Sequence, residues 1–159
     1  MIDPGQSLDP DTPVTAVHGD DTRETTLGDL LDRPTVISVY MANNTGSCDR
    51  QMAALADAAD AIHDRGFDIL GVSKNTPTSH ARYAQKLGID FALLSDPDHH
   101  ISKAADAIVP KKMRGKEYTG PARAAYVVDA DGTVLAVIPK VDAANHGQQV
   151  LDTLDALDA

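Results

Sequence analysis

Short apolar runs and longer polar segments alternate along the chain. Residues 35–41 and 67–73 are almost continuously apolar and rich in β-branched side chains, which is typical of strands buried on both faces of a sheet. Shorter apolar runs predict further strands at residues 14–17, 91–94, 125–128 and 134–138. The last two runs flank Asp129-Ala130-Asp131-Gly132, a sequence that favours a hairpin turn.

Between the strands, apolar residues recur at helical spacing. After the polar break at residues 43–47, steps of three and four residues predict one buried helix face, formed by Cys48, Met52, Leu55, Ala59 and Ile62. This helix is expected to reach about Arg65, where Gly66 ends it. Similar patterns predict helices at residues 78–87, 99–107 and 146–157, and a helical turn at residues 26–31. Residues 111–121 are basic and are predicted to form an irregular loop.

The order of these elements defines the fold class. Alternation of strand and helix predicts an α/β protein with a mostly parallel sheet, and the closing hairpin adds antiparallel strands. We therefore predict a thioredoxin-like fold, with a mixed central sheet and helices on both faces. A chain of 159 residues fits a single domain, 1–159, in which residues 1–13 form a polar N-terminal arm.

The charge and composition exclude several classes of partner. The chain has 24 acidic against 14 basic residues, a net charge of −10, which disfavours binding to nucleic acid or to an anionic membrane. No apolar run approaches the ~18 residues of a transmembrane helix. The N-terminus lacks the basic and apolar regions of a signal peptide, so a cytoplasmic location is expected.

Cys48 is the only cysteine and the main candidate for chemistry. A single cysteine excludes an internal disulfide and a multi-thiolate metal site, and no metal or cofactor is expected. Its predicted place in the first turn of a helix, at the end of a buried strand, favours a thiolate, because free N–H groups point there. The residues alone leave a second interpretation open, in which Cys48 is an inert core residue.

Several segments resemble one family. Thr45-Gly46-Ser47-Cys48 matches the Thr-x-x-Cys motif of peroxiredoxins. Further blocks at residues 71–83, 91–97, 111–118 and 123–129 are similar, in order, to the peroxiredoxin Q group of the AhpC/TSA superfamily, also called bacterioferritin co-migratory protein. The resemblance spans roughly residues 35–138. It implies a thiol-dependent peroxidase that reduces hydrogen peroxide or organic hydroperoxides.

The resemblance also implies roles for individual residues. Cys48 would be the nucleophile that becomes a sulfenic acid. Thr45 would hydrogen-bond the thiolate and the peroxide, and Arg123 would supply positive charge through a guanidinium with several donors. The backbone N–H groups of Ser47 and Cys48 would face the charge that develops on the leaving oxygen.

Three positions depart from the family pattern. Met41 occupies the place of the usual proline, seven residues before the cysteine, and is expected to line the peroxide pocket with Ser47. Ala53 stands where many members carry a resolving cysteine, and Ala125 stands where a Thr or Ser is frequent. The chain is therefore expected to be a one-Cys type, a monomer or homodimer that an external thiol recycles: a thioredoxin, a glutaredoxin or a low-molecular-weight thiol.

Two other functions stay open at this level. Met41 favours a peroxiredoxin-like redox sensor or binding protein with weak peroxidase activity. An unrelated thioredoxin-fold protein with an inert Cys48 is the third possibility. The basic residues Lys111, Lys112, Arg114 and Lys116 form either a solvated loop or a docking patch for an acidic reductase.

Overall fold

The computed structural model describes residues 1–158, which contain nine strands. Seven strands form the main sheet: β1 (Pro13–His18), β2 (Asp21–Thr26), β3 (Thr35–Val39), β4 (Asp68–Ser73), β5 (Ala92–Ser95), β8 (Ala125–Val128) and β9 (Val134–Ile138). The other two form a separate hairpin: β6 (Ile108–Met113) and β7 (Lys116–Pro121). The order in the main sheet is β2-β1-β5-β4-β3-β8-β9.

The centre of the main sheet is parallel and its edges are antiparallel. β3 pairs in parallel with β4, and β4 with β5. β1 joins β5, and β8 joins β3, in antiparallel register. The carboxyl ends of the three parallel strands therefore meet at one edge, where catalytic groups of α/β proteins commonly gather.

Helices cover both faces of the sheet, as the sequence predicts. They are α1 (Leu27–Leu30), α2 (Gly46–Asp64), α3 (Pro77–Leu87), α4 (His100–Ala104) and α5 (His146–Leu157). Side chains of β3 alternate between the faces: Val36 packs in the core beneath α2, α3 and α5, whereas Ile37 and Val39 pack in the core with α1 and α4. The predicted mixed α/β fold class is thereby confirmed.

Helices α2 and α5 lie unusually close together at the start of α5. A Cβ atom built on Gly147 would lie 2.5 Å from the carbonyl oxygen of Ala54 and 2.8 Å from the Cβ of Ala58. Only glycine therefore permits this approach. The close packing brings the neighbouring His146 side chain into the interior, where it is fully buried.

Two segments differ from the prediction. Residues 21–26, which carry no apolar run, form the edge strand β2, with mostly exposed polar side chains. Residues 111–121, predicted as an irregular loop, belong to the β6–β7 hairpin, whose turn places Arg114 and Gly115 at φ of 54° and 80°. Two consecutive positive φ angles are typical of a two-residue hairpin turn, but arginine is an unusual residue there and gave no turn signal.

The N-terminal arm packs on the sheet. Ile2 and Leu8 are buried in the core that contains α1 and α4. The N–H of Leu8 donates to the carbonyl of Gly132 at 2.9 Å, and the carbonyl of Gln6 accepts from Val134 at 2.7 Å. The polar composition predicted the arm but not this anchoring, which rests on two isolated apolar residues. Within residues 1–158, no helix has the length and apolar character needed to cross a membrane.

Candidate active site

Cys48 lies in the first turn of α2, just beyond the carboxyl end of β3. Its side chain is fully buried, with 0% exposure, among Val36, Tyr40 and Met52. The first backbone hydrogen bond at the start of α2 runs from the N–H of Asp49 to the carbonyl of Thr45 at 2.8 Å. The amides of Ser47 and Cys48 precede this bond, so the positive end of the helix faces the thiol.

The pKa of the Cys48 thiol is lowered from its ordinary value. Burial alone would raise this pKa, because it disfavours the charged thiolate. Hydrogen bonds from the Thr45 hydroxyl and from the backbone of Ala42 and Met41, together with the charge of Arg123, outweigh the burial. At neutral pH a larger share of Cys48 is therefore thiolate, the nucleophilic form, than in a free cysteine.

Arg123 reaches the site from the segment between β7 and β8. The Val39 N–H donates to the carbonyl of the adjacent Ala124 at 2.9 Å, which fixes this segment beside the end of β3. Nη1 of the half-buried Arg123 donates to Oε1 of Gln51 at 3.1 Å. Within residues 1–158, Arg123 forms no salt bridge with a carboxylate. Its charge acts on the thiol of Cys48, where it favours the thiolate.

Thr45 and Ser47 lie at the exposed start of α2. Thr45 is the N-cap residue, but its hydroxyl makes no cap hydrogen bond and instead donates to the Ala42 carbonyl at 3.0 Å. A single hydroxyl proton therefore serves either this carbonyl or the thiolate of Cys48. The Ser47 hydroxyl accepts from Nη2 of Arg50 at 3.3 Å. The backbone N–H of Ser47 is one of the first amides of α2, which have no acceptor within the helix.

Met41 carries a neighbour that the sequence did not assign to the site. The ammonium of Lys111, on β6, donates to the sulfur of Met41 at 2.8 Å. The pKa of Lys111 is lowered by burial and by Arg123, while Cys48 acts in the opposite direction. Lys111 is therefore a second cation coupled to the thiol. The basic composition of residues 111–116 was the only sequence signal for it, and that signal did not distinguish Lys111 from the exposed Lys112.

The loop before Cys48 is held by Asn43, another residue that sequence reasoning missed. The backbone N–H of Asn43 donates to Oδ1 of Asn75 at 2.9 Å. Its side-chain Nδ2 donates to the Ser79 hydroxyl at 3.0 Å and to Nδ1 of His80 at 3.1 Å, and its Oδ1 accepts from the Tyr40 hydroxyl at 2.6 Å. These bonds tie the loop to α3, so the loop is fixed without the family's proline.

The remaining departures from the family pattern leave small apolar side chains. Ala125 is fully buried in β8, and Ala53 is half-buried on α2. Neither offers a hydroxyl or a thiol to the site. Among residues 1–158, no three His, Cys, Asp or Glu side chains are grouped so that they could hold a metal ion.

Comparison with known proteins agrees with this geometry. Residues 10–137 match the model of the AhpC/TSA family. The chain is 30% identical to peroxiredoxin Bcp of Escherichia coli K12, over 89% of this chain and 91% of that protein. A solved structure of Xanthomonas campestris peroxiredoxin Q superposes with a TM-score of 0.84 at 29% identity, covering 96% of this chain and 97% of that one.

A second solved structure concerns the bacterioferritin comigratory protein of X. campestris and its alkyl peroxide reduction activity. It has the same TM-score of 0.84 and identity of 29%, and covers 97% of this chain and 98% of that one. The chain belongs to the AhpC/TSA family and is a peroxiredoxin of the peroxiredoxin Q group. It is accordingly a thiol peroxidase with a thioredoxin-like fold, and its single cysteine is consistent with the one-Cys type.

Proposed function

We propose that the thiolate of Cys48 attacks the terminal oxygen of a hydroperoxide. The sulfur–oxygen bond forms as the O–O bond breaks. The terminal oxygen keeps its hydrogen in the Cys48 sulfenic acid, and the leaving alkoxide or hydroxide takes a proton from water. The sulfur is oxidised and the peroxide is reduced to alcohol or water. The observation that carries this proposal is the fully buried Cys48, whose pKa is lowered at the start of α2 beside Arg123.

The residues around Cys48 supply the other parts of this step. The Thr45 hydroxyl donates a hydrogen bond to the thiolate and then to the peroxide. Arg123 holds negative charge on the sulfur and on the oxygens. The amides of Ser47 and Cys48 stabilise the leaving oxygen, since donors aimed at a developing charge act most strongly where water is excluded.

The buried position of Cys48 favours small hydroperoxides, including organic ones. The sulfur of Cys48 has no exposed surface, so a compact substrate reaches it more readily than a bulky one. Met41 contributes an apolar wall beside Lys111, which suits a hydroperoxide with a short alkyl group. The X. campestris relative is described by its alkyl peroxide reduction, which supports the same substrate class here.

The sulfenic acid is recycled by an external thiol, because the chain contains no second cysteine. The external thiol condenses with the sulfenic acid to give a mixed disulfide and water, and a second thiol then releases the Cys48 thiolate. The exposed Lys112, Arg114 and Lys116 lie on the same hairpin as Lys111 and favour an acidic reductant, such as a thioredoxin or an anionic low-molecular-weight thiol. Dependence on reduced thiols supports a cytoplasmic location.

Trapping of the sulfenic acid tests the proposal. The reduced protein is treated with one equivalent of ethyl hydroperoxide in the presence of dimedone, and the modified residue is located by peptide mass spectrometry. We expect one dimedone adduct on Cys48 and one equivalent of ethanol, and neither product with Cys48→Ser. Ethanol formation that persists in Cys48→Ser would overturn the assignment. Steady-state turnover with thioredoxin, glutaredoxin or a small thiol then identifies the class of reductant.

A further inference from the structure

A chain of buried polar side chains runs from Arg123 into the interior between β3, α2 and α5. It passes through Gln51, Ser38, His146 and Gln149, with contacts of 3.1, 3.0, 2.8 and 3.1 Å in that order from Arg123. Gln51, Ser38 and His146 each have 0% exposure. A buried donor or acceptor that has no partner destabilises the folded protein. Each donor in this series must therefore face an acceptor, which fixes the direction of each hydrogen bond.

Gln149, at the end of this series that is farthest from Arg123, sets the tautomer of His146. Nε2 of Gln149 donates to the carbonyl of Lys140 at 2.9 Å, and its Oε1 accepts from the N–H of Asp142 at 3.1 Å. Because Oε1 is thereby an acceptor, Nδ1 of His146 must donate to it. Burial lowers the pKa of His146, in agreement with a neutral ring. Nε2 of a neutral ring that carries its proton on Nδ1 is an acceptor.

The same reasoning fixes the next two links. The Ser38 hydroxyl donates to Nε2 of His146, since that nitrogen has no proton to give. The Ser38 oxygen then accepts from Nε2 of Gln51, whose other N–H donates to the carbonyl of Val39 at 3.2 Å. Oε1 of Gln51 is therefore left to accept from Arg123. In each of these four hydrogen bonds, the donor lies on the side of Arg123 and the acceptor on the side of Gln149.

We propose that His146 and Ser38 are positioning residues, which hold the amide of Gln51 with its oxygen toward Arg123 and so fix the guanidinium beside Cys48. This inference rests on the proposed role of Arg123. If His146 cannot accept, the Ser38 hydroxyl loses its acceptor and can turn its proton toward the N–H of Gln51. The carbonyl of Val39 still accepts from Gln51, so the amide keeps its orientation but moves away from Ser38, and the guanidinium of Arg123 moves with it.

Replacement of His146 tests the inference. His146→Leu removes the acceptor for Ser38, whereas His146→Gln can accept with its oxygen and donate with its nitrogen. We expect the second-order rate with hydrogen peroxide to fall about tenfold in His146→Leu, with a raised pKa of the Cys48 thiol, and to fall less than about threefold in His146→Gln. Ser38→Ala repeats the test without altering α5. Ser102→Ala, a buried serine on α4, is the control and should leave the rate unchanged.

Combination with Arg123→Gln separates positioning from general destabilisation. If His146 and Ser38 act through Arg123, their replacement has no further effect on rate or thiol pKa in the Arg123→Gln background. Equal losses in both backgrounds would overturn the inference, as would wild-type rates in both His146→Leu and Ser38→Ala. Failure of the proposed function itself has a different signature, a wild-type protein that reacts no faster than a free thiol.

Discussion

The ammonium of Lys111 donates a hydrogen bond to the sulfur of Met41 at 2.8 Å. This contact joins the β6–β7 hairpin to the loop that precedes Cys48. It places a cation at the position where the peroxiredoxin motif usually has proline, which cannot make such a contact. The charges of both Lys111 and Arg123 therefore act on the thiol of Cys48. Burial, and after it repulsion from Arg123, lowers the pKa of the lysine.

Lys111→Met is expected to raise the pKa of the Cys48 thiol. The substitution keeps the length of the side chain and removes the charge that favours the thiolate. We therefore expect a smaller share of thiolate and a severalfold slower reaction with hydrogen peroxide at pH about 6. The pH dependence of iodoacetamide alkylation measures the pKa. Lys112→Met, on the exposed side of the same strand, is the matched control. If Lys111→Met and Lys112→Met changed the pKa of the Cys48 thiol equally, the position of Lys111 beside Met41 would have no special effect, and only the net charge of the protein would matter.

Asn43→Ala is expected to destabilise the fold. Its side chain makes three hydrogen bonds, to Tyr40, Ser79 and His80, of which the contacts with Tyr40 and His80 are buried. At about 1 kcal/mol for each lost bond, the free energy of unfolding should fall by about 3 kcal/mol in a urea titration. The comparison variant is Asn44→Gly, which removes only an exposed hydrogen bond, from Lys86 to Oδ1 of Asn44 at 2.8 Å. The φ of 63° at Asn44 is one that glycine adopts easily. If both variants unfolded at the same urea concentration, Asn43 would not hold the loop.

Acidification below pH about 6.5 is expected to destabilise the native state through two histidines. Burial lowers the pKa of both His80 and His146 in the native protein, so they stay neutral there while the unfolded chain takes up protons. The free energy of unfolding therefore falls as the pH decreases from the histidine pKa of the unfolded chain toward the lower pKa values of the native protein. The decrease is up to about 1.4 kcal/mol per pH unit for each histidine.

Urea titrations between pH about 7 and about 5 measure this dependence. His146→Gln carries no titrating group at that position, so its stability should fall less steeply with acidification than that of the wild type. His80→Gln should flatten the dependence in the same way. If the free energy of unfolding of both variants depended on pH as steeply as that of the wild type, these histidines would not be neutral and buried in the native state.

Much of the fold follows from local patterns in the sequence. The apolar runs of β3 and β4 and the stripe on α2 are strong because these elements are buried, and they placed Cys48 correctly at a helix start. Strand β2 has no apolar face to reveal it. The β6–β7 hairpin turns at Arg114, whose side chain gives no turn signal. Resemblance to the family, rather than the residue pattern, supplied Arg123.

The groups that surround the site depend on contacts between distant residues. Asn43 and His80 are 37 positions apart, and Ser38 and His146 are 108 positions apart. Their pairing follows from how α3 packs on β1 and β5, from how α5 packs on α2 and β9, and from the close approach that Gly147 permits. No periodicity in the sequence encodes such pairs. Lys111 likewise joins the site only because the hairpin folds over Met41.

The reaction of the reduced protein with hydrogen peroxide, followed by rapid quench and thiol titration, tests directly whether Cys48 is an activated peroxidase thiol. We expect the wild type to react orders of magnitude faster than a free cysteine, Cys48→Ser to lack a reacting thiol, and Arg123→Ala to be slower by about 100-fold or more. A wild-type rate equal to that of a free thiol with the same pKa would contradict this, since the lowered pKa alone would then explain all of its reactivity.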